Sequence, residues 1–237
     1  AAAALLVLAA AVVSRFEQLP IWRDEPTLWR AVLERSGPLV PASNNLGRAL
    51  RRVGQPAGAM EAYALSLEQE PANGTALYGT ALSALDLGDA AAAETALRAL
   101  LEAEPGHAVA PLKLAEIEIG RGDFLKAIEW LNRAVPALRA SPDPRNLANL
   151  VRAYYLRVLA LVNLKEDELA LREAGKALEL APDHADVLML RSVALARLGR
   201  PEEALADLKR VVALGRPLDP IRHLTFMQEL IAAAEAG

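Results

Sequence analysis

Asn45-Leu46-Gly47-Arg48-Ala49-Leu50, followed by Gly54, Ala59, Tyr63 and Pro71, is the stretch that decides the fold. Leu46 and Gly47 sit inside one helical run, and Gly54 offers a turn where a left-handed backbone costs little. Ala59 and Tyr63 stand four apart, on one face of a second helix, and Pro71 stops that helix. The same punctuation returns 34 residues on, at Gly88, Ala93 and Pro105, and again at Gly122 and Ala127, although Arg139 stands where the third Pro would fall. Counting back by 34 from Gly199 and Ala204 reaches Lys165 and Ala170, with Pro182 closing that unit. Lys165 lies 43 residues beyond Gly122, one period plus about nine residues. The spacing therefore predicts five helix-turn-helix units, at 40 to 73, 74 to 107, 108 to 141, 151 to 184 and 185 to 218.

A 34-residue unit with Leu-Gly in its first helix, Ala-x3-Tyr in its second and a closing Pro resembles the tetratricopeptide repeat. The resemblance implies an all-α, right-handed superhelical solenoid whose first helices line the concave face. Small residues at Gly47, Ala81, Ala115, Ala59, Ala93 and Ala127 are expected to let helices approach closely. Lys165 breaks the glycine rule, so the turn at Asn163 to Asp167 is expected to close differently from the others. Ser141-Pro142-Asp143-Pro144-Arg145-Asn146 is a Pro-rich break, after which the next helix is expected to start early and run long. A poor junction weakens nearest-neighbour coupling, so this break is also expected to divide the array into two cooperative blocks. Asp219-Pro220, with Ile221, Leu224, Met227, Leu230 and Ile231 at helical spacing, predicts a C-terminal capping helix over 219 to 237.

Composition narrows the function. With 53% hydrophobic but only 4% aromatic residues among 237, the chain fills its core with Ala and Leu, which suits closely packed helices. A net charge of -4 gives no basic surplus for a phosphate backbone, so nucleic acid is not an expected partner. The absence of Cys removes thiolate nucleophiles, thiolate metal sites and disulfides.

Ala1 to Val13 is an unbroken apolar run. A membrane span needs about 20 such residues. Residues 1 to 14 read as the second half of a transmembrane helix; an Ala-rich helix packed on the repeats and a trimmed signal sequence are the alternatives. Residues 15 to 39 form a membrane-proximal linker, in which Asp24 caps a helix running to about Arg35 before Gly37-Pro38 breaks it. Arg15, Trp22 and Trp29 suit a membrane interface, while the two Trp residues could equally cover the exposed end of a solenoid. The order apolar helix, Arg15-x6-Trp22-x-Asp24-x3-Leu28-Trp29, then Asn45-Leu46-Gly47 resembles the junction in tetratricopeptide-bearing membrane O-mannosyltransferases. That resemblance covers residues 1 to 71 and implies an extracytoplasmic repeat domain. It carries over no catalytic residue, since those lie in the membrane region of such enzymes.

No hydrolase, zincin, phosphate-loop or dinucleotide motif occurs. His107 and His184 fall in inter-repeat turns and His223 stands alone, so no metal site is expected. Neither cofactor nor catalytic residue is assigned. Arg121-Gly122-Asp123 and Asn73-Gly74-Thr75 spell an adhesion tripeptide and a glycosylation acceptor, but both fall where the repeat already needs turn residues. The informative surface is the first-helix face. There Asn44, Arg48, Arg51 and Arg52 form a basic end, followed by Tyr78, Leu82, Leu112, Glu116, Arg152, Tyr155, Leu159, Met189 and Val193. Clamp-type repeats that bind a peptide's terminal carboxylate hold a Lys, Asn and Arg set spread over three units. Asn44 fits that set, but Tyr78, Gly79, Leu82, Val109 and Leu112 do not. An apolar, Tyr-bearing groove suits an amphipathic helix or extended segment, with the alternative that part of the stripe is core. The expected function is a non-catalytic protein-interaction scaffold held at a membrane, on the extracytoplasmic side or alternatively in the cytoplasm. Two rival expectations stand beside it: an acceptor-presenting part of a membrane glycosyltransferase, and a subunit of a larger membrane complex.

Overall fold

The computed structural model describes residues 24 to 215, apart from Pro142 and Arg145, and among these residues there are eleven helices and no strand. The apolar run 1 to 14, Arg15, Trp22 and the expected capping helix 219 to 237 lie outside the described residues. Two compact units are distinguished, with the boundary between Pro105 and Gly106.

The first unit holds α1 (Glu25–Ser36), α2 (Val40–Arg52), α3 (Pro56–Gln69), α4 (Gly74–Asp86) and α5 (Ala90–Ala103). Each helix begins where the sequence supplies a cap or a first-turn Pro. The Thr27 amide donates to Asp24 Oδ1 at 2.8 Å, Ala76 to Asn73 Oδ1 at 3.0 Å and Ala92 to Asp89 Oδ1 at 2.9 Å. Gly37 ends α1 with φ 73, as the Gly-Pro break predicts. α2 packs on α3 and α4 on α5, and the first helices α2 and α4 lie side by side. Trp29 and Leu33 of α1 pack against Leu46, Leu50 and Ala59. Trp29 thereby covers apolar flank at the end of the first repeat that would otherwise lie in water.

The second unit holds α6 (Ala110–Arg121), α7 (Phe124–Ala140), α8 (Asn146–Asn163), α9 (Asp167–Leu180), α10 (Ala185–Arg197) and α11 (Pro201–Ala213). Where Pro71, Pro105 and Pro182 close the other units, Arg139 lets α7 run to Ala140, a helix of 17 residues. α8 starts early and spans 18 residues, as expected. The helices on either side of the expected division at 141 to 146 pack on each other. One buried cluster contains Ala134, Val135 and Leu138 of α7 together with Leu150, Ala153 and Tyr154 of α8. Both helices are long enough to pack on each other, and Arg139 Nη2 donates to the Tyr154 hydroxyl at 2.5 Å. Asn146 Nδ2 donates to Ser141 Oγ at 2.7 Å across the linker.

The turn at Lys165 also departs from expectation, since it closes like the rest. In the glycine turns Gly54, Gly88, Gly122 and Gly199 have φ between 71 and 78, and Lys165 takes φ 63. Its amide donates to Val162 O at 3.2 Å and that of Glu166 to Leu161 O at 2.9 Å, matching Gly54 to Arg51 O and Gln55 to Leu50 O. The repeat geometry overrides the residue's preference. A left-handed backbone costs an L-residue about 1 kcal/mol, so Lys165→Gly is expected to raise stability by up to about 1 kcal/mol in urea unfolding. An unchanged or lower midpoint would show that the turn stores no strain.

Candidate functional site

In the first unit the basic end is narrower than its three arginines suggest. Arg51 Nε donates to Asp86 Oδ2 at 2.5 Å, joining α2 to α4. Arg52 pairs with Glu25 of α1. Arg48 Nη2 donates to the neutral Asn45 Oδ1 at 2.6 Å, and among the described residues Arg48 has no acidic partner. A cavity of about 600 Å³ is lined by Arg48, Arg51, Arg52, Gly54, Pro56 and Asp86. Asn44 Nδ2 donates to Asn73 Oδ1 at 3.1 Å, tying α2 to the cap of α4, while Asn44 Oδ1 is buried without a partner. Tyr78 and Leu82 are half-buried on α4.

In the second unit one assigned groove residue is not in the groove. Leu112 is 1% exposed and belongs to the core cluster with Ala115, Leu131 and Tyr154, so its assignment to a binding face is corrected. Tyr155 and Leu159 are four apart on α8, and Met189 and Val193 four apart on α10, so each pair shares a helical face. All four are half-buried, and α8 and α10 are in contact. Tyr155, Leu159 and Val193 rest on the core cluster below. The Tyr155 ring stacks on His184, with centroids 5.7 Å apart and planes at 24°. The Arg152 guanidinium lies 5.4 Å from the centroid of the same ring. Arg152 Nε donates to Glu116 Oε1 at 3.2 Å and Lys113 Nζ to Glu116 Oε2 at 2.8 Å, so Glu116 anchors a polar edge. Burial pushes the Tyr155 phenol up, Asp186 adds to this, and Arg152 opposes it.

His184 is a member of this column that sequence reasoning placed only in a turn. Its Nδ1 accepts from the Val187 amide at 3.4 Å, so it caps α10 as Asn73 caps α4, while its ring faces Tyr155. The signal was available in its place, one residue before a helix in the repeat pattern. The adhesion tripeptide is a turn. Gly122 ends α6, Asp123 Oδ1 accepts from the Lys126 amide at 3.1 Å and Arg121 pairs with Glu118 at 3.1 Å. Asn73 of the acceptor pattern is engaged by the Ala76 amide, Asn44 and Glu70. Among the described residues no three His, Asp or Glu side chains gather as a metal site, and no helix is long and apolar enough to cross a membrane.

A paired-helix array with left-handed turns 34 residues apart, save for 43 between Gly122 and Lys165, is matched by the family pattern "Tetratricopeptide repeat" over residues 44–106, 78–143 and 155–219, more than half of the chain. The chain belongs to the tetratricopeptide repeat family. Human tetratricopeptide repeat protein 13 is 34% identical over 131 residues, which is 52% of this chain but 14% of that protein. Among solved structures the chain is similar to YrrB, described as a TPR protein with an unusual peptide-binding site. Identity is 20%, coverage 85% of this chain and 97% of that one, and the TM-score 0.67. MamA from Desulfovibrio magneticus RS-1 follows at 22% identity over 76% of this chain and 97% of that chain, with TM-score 0.66. PilW, a type IV pilus biogenesis factor, has 16% identity over 83% and 88%, with TM-score 0.66. At these identities the structures show a shared all-α tetratricopeptide solenoid fold.

Proposed function

We propose that this tetratricopeptide domain is a non-catalytic scaffold that binds an apolar helix or extended protein segment on the first-helix face of its second unit. The observation that carries the reading is the strip of Tyr155, Leu159, Met189 and Val193, four large side chains left half-buried on adjacent helices. Large apolar groups with one face still in water gain most from a partner's apolar face. The Arg152–Tyr155–His184 column holds one anchor rigid, which lowers the ordering cost of binding. The peptide-binding site named for YrrB supports a protein-segment ligand. The test is Tyr155→Ala combined with Met189→Ala in the full chain, read by crosslinking from residue 159 to co-purifying proteins and by thermal unfolding. Capture is expected to weaken by the equivalent of about 2 kcal/mol or more, with the unfolding midpoint nearly unchanged. Loss of the fold together with capture would assign these residues to the core instead.

The finer reading, that the scaffold is held at a membrane on its extracytoplasmic side, is supported by the apolar run Ala1 to Val13. The full chain is expected to co-float with liposomes while a version starting at Arg23 stays behind; equal behaviour of the two would sink the anchor. The junction over residues 15 to 47 favours a second reading, in which the repeats present a polypeptide acceptor to a membrane glycosyltransferase. Further membrane spans with acidic loops upstream of Ala1 would support it, and a single span would not.

A further inference from the structure

α11 is the last of the described helices, yet its outer flank is buried to the depth of an inner repeat. Counting places from the unit starts at 40, 74, 108, 151 and 185, Leu208 and Val211 hold places twenty-four and twenty-seven, and both are 0% exposed. The same places in the third unit, Leu131 and Ala134, are equally buried, and there α8 of the next unit joins them in one cluster. Place twenty-four meets place six of the following unit, since a Cβ on Gly79, at place six, would overlap the Tyr63 ring. Beside Leu208 and Val211 stand Val212 and Leu214, an apolar margin 52% and 40% exposed. A flank of this kind calls for the cover that each inner repeat receives from its neighbour.

The sequence beyond the described residues fits this flank. A further step of 34 from Ala185 reaches Asp219, and residues 214 to 218 make a link of five, within the four to six that join the other second helices to the next first helix. Place three, held by Ala42, Ala76, Ala110, Ala153 and Val187 and buried in every unit, falls on Ile221. Place six falls on Leu224, facing Leu208 as Leu156 and Leu131 share one cluster. Place seven faces a unit's own second helix, because Arg191 bonds Asp207 at 2.5 Å and Arg157 pairs with Glu173. Places four, seven and eleven share that face and fall on Arg222, Thr225 and Glu229, polar groups suited to a far side that lies in water. We propose that residues 219–237 dock on the flank of α10 and α11 as a sixth first helix, and that Met227 and Leu230 on it carry the ligand strip onward. The inference rests on the groove reading above and extends it. Met227 takes place nine, with Leu159 and Val193, and Leu230 takes place twelve, with Val162 and Ala196. Adjacent helix axes lie about 8 to 10 Å apart, so the apolar face widens from two helices to three. The partner it fits is an apolar helix lying across α8, α10 and the sixth helix. A short tether holds the segment at an effective concentration on the order of millimolar, so on the flank it outcompetes a second copy of the chain.

The chain has no Cys, so Arg222→Cys carries a spin label at a single place in the full chain. By methyl NMR the label should quench Leu208, Val211 and Val212 more than Leu159, and leave Met60 sharp. Stronger quenching at Leu159 than at Val212 would put the segment in the groove, and no quenching would leave it off the array. Quenching seen only between labelled and methyl-bearing chains in a mixture would assign the flank to a second copy. Each of these three results would overturn the proposal. Leu224→Asp should raise amide exchange in α11 about tenfold or more and leave α2 to α5 as they were; unchanged exchange in α11 would count against docking. The probe for the strip is an acetylated, amidated peptide of about 18 residues with Leu at helical spacing on an Ala and Gln background. Met227→Ser with Leu230→Ser should weaken its binding about tenfold or more, with the quenching pattern kept. Binding indifferent to that pair but lost in Tyr155→Ala with Met189→Ala would end the extension and keep the groove. Binding lost through Met227 and Leu230 but indifferent to Tyr155 and Met189 would keep the sixth helix and end the groove reading. A peptide that does not bind would overturn the strip in both its parts.

Discussion

Gly79→Ala is expected to destabilise the first unit by about 1 to 3 kcal/mol, the range for overpacking a close-packed site. Elsewhere in a helix the same change would stabilise by roughly 1 kcal/mol, so the expected sign is the opposite of propensity. The reason is the Tyr63 ring, against which the new methyl would press at Cζ. Retreat is blocked on the other side by Gly47. The repeats show the same rule in their residue choices. Place eight and place twenty-four of successive units hold Gly47 with Tyr63, Ala81 with Leu97, Ala115 with Leu131, Val158 with Ala174 and Ser192 with Leu208. Where one member is large the other is small. Tyr63→Leu, which installs the residue found in three other units, is therefore expected to recover most of the loss in the Gly79→Ala background. Urea unfolding of the four members of this cycle measures the coupling. A Gly79→Ala protein as stable as the parent would mean that Tyr63 does not occupy the slot.

Leu112→Ala is expected to cost about 2 to 5 kcal/mol, the range for deleting a fully buried leucine and leaving a cavity. Leu112 holds the same repeat place as Tyr78, Tyr155 and Met189, which are half-buried, but it is 1% exposed. Its helix starts two residues later in the repeat than α4 and α10 do, with Pro111 in the first turn. The early start of α8 adds Leu150 to the cluster that takes Leu112 in. The denaturation midpoint should fall with the slope unchanged, in contrast to Tyr155→Ala, whose effect should appear in partner capture. A Leu112→Ala protein that keeps its midpoint and loses partner binding would restore Leu112 to the groove.

The sequence by itself determined the fold class, because Gly54, Gly88, Gly122 and Pro71, Pro105 punctuate the chain at a constant period, and a constant period sets a constant helical phase. Asp24 marked the start of α1, and the Pro-rich stretch before residue 146 foretold a long α8. What only the tertiary structure decided is how deep each equivalent place lies, since burial depends on the length and side-chain size of the neighbouring helix. That is why Leu112 is core while Tyr155 is not. Lys165 takes the left-handed turn of a glycine because the packing of α8 on α9 outweighs about 1 kcal/mol of backbone cost. The charge of the basic end was legible as three arginines close together at the end of α2, but its pairing was not. Asp86 lies 35 residues from Arg51, and only the packing of α4 beside α2 brings it to 2.5 Å and leaves Arg48 without an acidic partner among the described residues.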